Sequence, residues 1–111
     1  MTIIESIGDR KTHDITIMGH STHDVCVAIS ALTNALVQYA EEYSAKNSEF
    51  NAEISRYERG EVRIHIEYGL ALHFLYFGLG AAAIIAGFKL YEHNYPDEVK
   101  YVDAKQIKNS L

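Results

Sequence analysis

The sequence predicts a small α+β domain in which an antiparallel or mixed sheet carries two long helices. Several stretches alternate apolar and polar residues, which is typical of half-buried strands. Two longer segments have the apolar spacing or the apolar length of helices. Their order is strand, strand, helix, strand, strand, helix, strand, so long parallel crossovers are not the main pattern. No linker or repeat divides the 111 residues, which suffice for a single domain with one core.

Composition narrows the class of protein. Apolar residues make up 48% and charged residues 23% of the chain, which is a globular balance. The formal net charge of −5, without a basic stripe, argues against a general nucleic-acid binder. The single cysteine cannot form an internal disulfide, and the N-terminus lacks the pattern of a signal peptide. We therefore expect a cytoplasmic protein.

The first half of the chain predicts a hairpin followed by a helix. Residues 2–7 and 13–18 form the two strands, and Gly19 permits a tight change of direction. The helix begins near Ser21 or Thr22 and ends near residue 45, with Ser21 and Asp24 resembling a capping box. One apolar face recurs at spacings of three and four: Val25, Ile29, Leu32, Leu36, Tyr39 and Tyr43.

The second half predicts another hairpin, an apolar helix and a last strand. Residues 50–55 and 62–68 alternate around a glycine-containing turn, and residues 98–103 alternate again, before an end that is expected to fray from residue 105. The helix over 70–93 is apolar nearly all round, so it must be covered on more than one side. We expect a buried core helix or a homodimer interface rather than a membrane span. Its glycines and alanines would let a partner backbone approach closely.

The candidate chemistry lies at the start of the first helix. Cys26 is in its first turn, and His20 and His23 precede it. Helix N-terminal amides and a nearby imidazolium favour thiolate over thiol, which is the setting of a nucleophile. The simplest alternative is that Cys26 is a small buried hydrophobe. Both imidazoles can reach the thiol, and spacing does not choose between them as the base.

Neighbouring residues fit either a supporting or an ordinary role. Asp24 is a helix-start acid or the group that orients a histidine. Ser30, one turn after the cysteine, supports the site or bonds to its own helix. His20, His23, Cys26 and Asp24 also offer metal ligands, but three ligands within seven residues are tight for one ion and no second pair follows. We expect no metal and no cofactor. His65 is expected to be solvated and His73 to be a satisfied core histidine.

Two motifs resemble the ribosomal-processing cysteine protease family called Prp. The first is Gly19-His20 followed by DVCVAISAL at 24–32; the second is the tyrosine-proline turn and strand YPDEVK at 95–100. The resemblance implies a homodimeric thiol endopeptidase that removes an N-terminal extension from a large-subunit ribosomal protein, or that cleaves a phage protein. It also implies that Cys26 is the nucleophile and His20 the base.

By the same resemblance Gly19, Asp24 and Ser30 match supporting positions, and the partner is a peptide segment of a protein substrate. From the net charge and the apolar helix described above we expect neither a nucleic acid nor a membrane as partner. Only five residues separate His20 from Cys26, where the family has a longer glycine-containing loop, so His23 stands as an alternative base. The rival hypothesis is a non-catalytic dimeric interaction module of the same fold. A third hypothesis is a small metal-binding protein with histidine and cysteine ligands.

Overall fold

Alternation of apolar and polar side chains produces five strands, and two apolar-faced helices cover one side of the sheet that the strands form. The computed structural model describes residues 1–103, so the expected frayed end lies outside the described residues. All seven predicted elements are present in the predicted order. They are β1 Thr2–Gly8, β2 Thr12–Gly19, α1 His23–Lys46, β3 Asn51–Glu58, β4 Glu61–Glu67, α2 Ala71–Asn94 and β5 Val99–Asp103.

The sheet is mixed, which confirms the predicted α+β class. Its strand order is β3-β4-β2-β1-β5. The pairs β1–β2, β2–β4 and β3–β4 are antiparallel, while β5 lies parallel to β1 at one edge. Ile17 pairs with Ile4 on one side and Val62 on the other, and all three side chains are buried under the helices. The register therefore places the core on a single face of the sheet.

Helix α1 packs the predicted face into this core, with Val25, Ile29 and Leu36 buried. The predicted capping box is wrong. Ser21 Oγ donates to the main-chain carbonyl of Glu98 over 2.8 Å, and the Thr22 amide donates to Glu98 Oε1 over 2.7 Å. A distant glutamate thus satisfies the helix start, because the fold brings a charged acceptor closer than the local side chains.

Within residues 1–103, helix α2 is covered on one side only, so the second cover that the sequence predicts would have to come from a partner subunit. The buried residues His73, Phe77, Ala81 and Phe88 face the sheet and α1. The opposite face exposes the apolar residues Leu72, Leu75, Tyr76, Leu79 and Leu90. By length and composition alone α2 is able to cross a membrane, and 22% of its most apolar 18-residue stretch is buried.

The glycines of α2 lie partly against α1 rather than free for a partner. A Cβ at Gly80 would lie 2.0 Å from the Tyr39 hydroxyl, and one at Gly87 would lie 2.7 Å from Leu32 Cδ2. Gly78, by contrast, has nothing within 4 Å of its Cβ position. The close approach that the small residues permit is therefore mainly an approach of the two helices within the chain.

Two histidines away from the first helix differ in their surroundings. His73 is buried, and its ring nitrogens contact the Tyr43 hydroxyl at 2.8 Å and Glu49 Oε1 at 3.5 Å, which confirms the predicted core histidine. His65 is half-buried rather than simply solvated, and its Nδ1 lies 2.7 Å from Asp14 Oδ1. The cross-strand pairing of β2 with β4 places these two residues opposite each other.

Candidate active site

A cleft of about 720 Å³ lies between the first half of α1 and the hairpin of β3 and β4. Its apolar lining includes Val27 and Ala31 from α1 and Ile17 and Val62 from the sheet. Gly19, His20, His23, Cys26 and Ser30 also line it. Five of the six residues that the sequence singled out therefore share one cavity, which has the mixed apolar and polar character of a ligand site.

Cys26 is the fourth residue of α1 and is partly exposed to the cleft. Its own amide donates to the Thr22 carbonyl over 2.8 Å, so that amide is engaged within the helix. The preceding amides of His23, Asp24 and Val25 have no acceptor among residues 1–103. The helix start therefore offers free donors and a partial positive charge one turn from the thiol.

His20 lies in the loop after β2, with its imidazole against the turn of the β3–β4 hairpin. A Cβ built on Gly60 would lie 2.8 Å from His20 Nε2 and 3.1 Å from its Cε1. Gly60 has φ of +88°, and its carbonyl accepts a hydrogen bond of 3.0 Å from the Gly19 amide. Glycine at this turn thus serves both the backbone conformation and the space that the ring occupies.

His23 also faces the cleft, from the first turn of α1. In the part of the chain that the structure describes, no hydrogen bond joins the Cys26 thiol to His23 or to His20. Resting catalytic sites often have such loose contacts, which tighten when substrate binds. The geometry brings both candidate bases to the thiol's cleft and assigns the role to neither by a bond.

The three predicted supporting residues differ in position. Gly19 has φ of +99°, and a Cβ there would lie 2.1 Å from the Met1 carbonyl oxygen, so only glycine fits. Ser30 lines the cleft one turn after the cysteine. Asp24 is exposed and is not part of the lining, and its carboxylate makes no hydrogen bond or ion pair with any described residue. The structure therefore does not bring Asp24 to either histidine.

Sequence reasoning missed the wall opposite the thiol. Tyr57 on β3 donates a hydrogen bond to Asn34 Oδ1 on α1 and so bridges the cleft. Glu61 also lines the cleft, and its hydrogen bond from Arg63 holds the pKa of that carboxyl below its ordinary value. Alternating apolar and polar residues around a glycine predicted this hairpin and its turn, but no local pattern could place the turn beside His20.

The metal-binding hypothesis finds no geometric support. Among residues 1–103, no three His, Cys, Asp or Glu side chains are grouped so that they could hold a metal ion. His20, His23 and Cys26 share the cleft, but Asp24 lies outside it. The arrangement fits thiol chemistry better than tetrahedral coordination.

Comparison with solved structures identifies the fold. The chain is similar to the essential ribosomal processing protease Prp from S. aureus in complex with a covalently linked product peptide, with a TM-score of 0.68, 16% identity, and coverage of 96% of this chain and 100% of that one. It is equally similar to SMU.848 from Streptococcus mutans, with a TM-score of 0.67, 18% identity, and coverage of 96% and 99%.

The same protease from S. aureus in complex with a substrate peptide gives a TM-score of 0.63 at 16% identity, with coverage of 96% and 100%. No protein-family model matches the chain, and no curated protein matches it. The described chain therefore shares the whole fold of these proteins, at identities that leave its chemistry to be argued from its own residues.

Proposed function

We propose that this chain is a cysteine endopeptidase in which Cys26 is the nucleophile and His20 the general base. The observation that carries the proposal is the meeting of three groups in one cleft: a partly exposed thiol, an imidazole, and a helix start with free amides. These are the nucleophile, the base and the oxyanion donors that acyl transfer needs. His23 remains the alternative base.

The reaction would follow the usual course of thiol proteases. His20 takes the proton of the Cys26 thiol, and the thiolate attacks the carbonyl carbon of the scissile peptide bond. The developing oxyanion accepts hydrogen bonds from first-turn amides of α1, each worth about 3 kcal/mol of transition-state stabilisation. The imidazolium then protonates the leaving amine, and water hydrolyses the thioester to release the acid and restore the thiol.

The proposed substrate is an extended peptide, namely the N-terminal extension of a large-subunit ribosomal protein or an equivalent phage protein. Two structures of the same fold hold a substrate peptide or a covalently linked product peptide. The cleft runs beside a hairpin whose backbone is extended, which suits a peptide strand. Its volume of about 720 Å³ accommodates several residues.

We also propose that the protein is a cytoplasmic homodimer that pairs through the exposed face of α2. Leu72, Leu75, Leu79 and Leu90 lie at helical spacing on that face, and Leu79 is 73% exposed. A continuous apolar surface of this kind is costly in water and is stabilised by a twofold partner. The proposed interface is on α2, whereas the thiol of Cys26 is on α1.

The second candidate function is a non-catalytic interaction module of the same fold. Two observations favour it: the exposed apolar face of α2, and the lack of a hydrogen bond between the thiol and either imidazole within residues 1–103. A module needs the apolar face and does not need the thiol. The two functions therefore differ in whether removal of one sulfur atom has any consequence.

The test uses peptides that span the N-termini of large-subunit ribosomal proteins, with cleavage followed by mass spectrometry. Wild-type protein should cut at least one peptide, and Cys26→Ala should abolish that cut. Gln38→Ala, an exposed substitution elsewhere on α1, is the matched control and should cleave normally. Undiminished turnover by Cys26→Ala would end the protease proposal.

A further inference from the structure

We propose that Glu98 is a positioning residue that holds the loop of His20 in place for the reaction; this inference rests on the proposed function. Glu98 directly precedes β5 and lies 78 residues after His20 in the sequence. It is not part of the cleft lining. Its effect would therefore pass through the loop that it binds rather than through contact with a substrate.

Residues 20–22 connect β2 to α1, and Glu98 binds this loop through both its side chain and its main chain. Glu98 Oε1 accepts the Thr22 amide over 2.7 Å, and the Glu98 carbonyl accepts the Ser21 hydroxyl over 2.8 Å. Thr2 Oγ1 lies 2.7 Å from the same hydroxyl oxygen of Ser21. The two residues after His20 are thus fixed to the neighbouring strand ends.

The residue before His20 is fixed from the opposite side of the cleft. The Gly19 amide donates to the Gly60 carbonyl over 3.0 Å, and the His20 ring rests where a Gly60 side chain would be. The imidazole itself makes no hydrogen bond with any other residue of the described chain. Its position therefore depends on the loop backbone, which Gly60 holds at one end and Glu98 at the other.

The charge of Glu98 suits the same task. The hydrogen bonds that it accepts from Thr22 hold the pKa of Glu98 below its ordinary value, so the carboxylate stays ionised near neutral pH. A carboxylate at the start of α1 also complements the positive helix end. It occupies the Thr22 amide and leaves the next three, those of residues 23–25, for charge that develops on a substrate.

The expected consequence of losing this carboxylate is a misplaced imidazole in a folded protein. In Glu98→Ala the Thr22 amide loses its acceptor and the loop gains freedom, while the bond from Ser21 to the main chain remains possible. A displacement of a catalytic group by about 1 Å typically costs up to about 100-fold in rate, so we expect a loss of about 10- to 100-fold. Glu98→Gln keeps an acceptor oxygen, so its rate should lie between those of the wild-type protein and Glu98→Ala.

The experiment measures the alkylation rate of Cys26 by iodoacetamide with intact-mass spectrometry. Cys26 is the only cysteine, so the readout needs no knowledge of the substrate. The variants are Glu98→Ala, Glu98→Gln, His20→Ala and the double variant Glu98→Ala/His20→Ala. Glu92→Ala is the matched control, because Glu92 Oε2 accepts the Tyr101 amide over 2.9 Å in the same kind of bond away from the cleft.

The inference predicts that His20→Ala and Glu98→Ala slow alkylation to a similar extent, and that the double variant is no slower than His20→Ala. Glu92→Ala should react at the wild-type rate. Equal slowing by Glu92→Ala and Glu98→Ala would show general destabilisation and overturn the inference. It would also be overturned if Glu98→Ala slowed alkylation as strongly in the His20→Ala background as it does alone.

The outcomes separate this inference from the proposed function. If His20→Ala slows alkylation and Cys26-dependent peptide cleavage is present, but Glu98→Ala reacts like wild type, the inference fails and the protease proposal stands. If His20→Ala reacts like wild type, this inference fails whether or not a peptide is cleaved; if in addition no peptide is cleaved, the proposed function fails as well.

Discussion

The most informative perturbation of the cleft is a methyl group at Gly60. The Cβ of Gly60→Ala would lie 2.8 Å from His20 Nε2, whereas ordinary contact begins at 3.4 Å. The ring must therefore move by at least 0.6 Å, the difference between these distances. The φ of +88° adds a backbone penalty of about 1–2 kcal/mol for an alanine.

These two consequences should appear in different measurements. The ring is the end of an exposed side chain, so its displacement costs little stability, and the loss in urea unfolding should equal the backbone penalty of about 1–2 kcal/mol. In the proposed mechanism the reaction depends on the position of the His20 ring, so peptide cleavage and Cys26 alkylation should fall by about 10- to 100-fold.

Gly60→Asn separates the two further. Asparagine adopts left-handed backbone more readily than alanine, so it should recover part of the stability. It carries the same Cβ, so it should not recover the rate. Wild-type alkylation and cleavage by a folded Gly60→Ala protein would refute the reasoning, because they would show that the imidazole works from elsewhere or that His20 is not the base.

Three further predictions concern the rest of the chain. Tyr43→Phe removes the hydroxyl beside buried His73 and should cost about 1–3 kcal/mol in urea unfolding; a loss near zero would contradict the network. Asp14 Oδ1 accepts a hydrogen bond from His65 Nδ1 and raises the pKa of His65, so the stability that the pair contributes is present below pH 6.5 and lost as pH rises through the raised pKa. Asp14→Asn should lower that pKa in an NMR titration, and an unchanged value would contradict the contact. Leu79→Glu should convert a sedimenting dimer to a folded monomer, and an unchanged mass would exclude this face of α2 as the interface.

The fold was predictable because its signals are local. Alternation set all five strands, and the spacing of Val25, Ile29 and Leu36 set the buried face of α1. The capping box failed for the opposite reason. The sequence pairs Ser21 with Asp24, but the fold delivers the carboxylate of Glu98 from the far end of the chain, and no local pattern contains that contact.

The residues of the candidate site also fall into two groups: those that a local pattern indicates and those that only the fold brings together. Cys26, His20, His23 and Ser30 lie close together in sequence, so a pattern within one loop and one helix could indicate them. The opposite wall of the cleft comes from Tyr57 and the turn of the β3–β4 hairpin. The pairing of β4 with β2 brings this hairpin to the side of the cleft that faces the thiol. A contact between residues distant in the chain depends on strand order and register, and these are properties of the whole sheet.

The sequence by itself therefore determined the strands, the helices and the candidate thiol site at the start of the first helix, because each depends on residues a few positions apart. Only the tertiary structure decided that the Gly60 turn supports His20, that Glu98 holds the loop, and that Asp24 stays outside the cleft. It also showed that the rest of residues 1–103 leaves one face of α2 uncovered. These depend on which distant surfaces meet, and hydrophobic burial of the whole chain selects that arrangement.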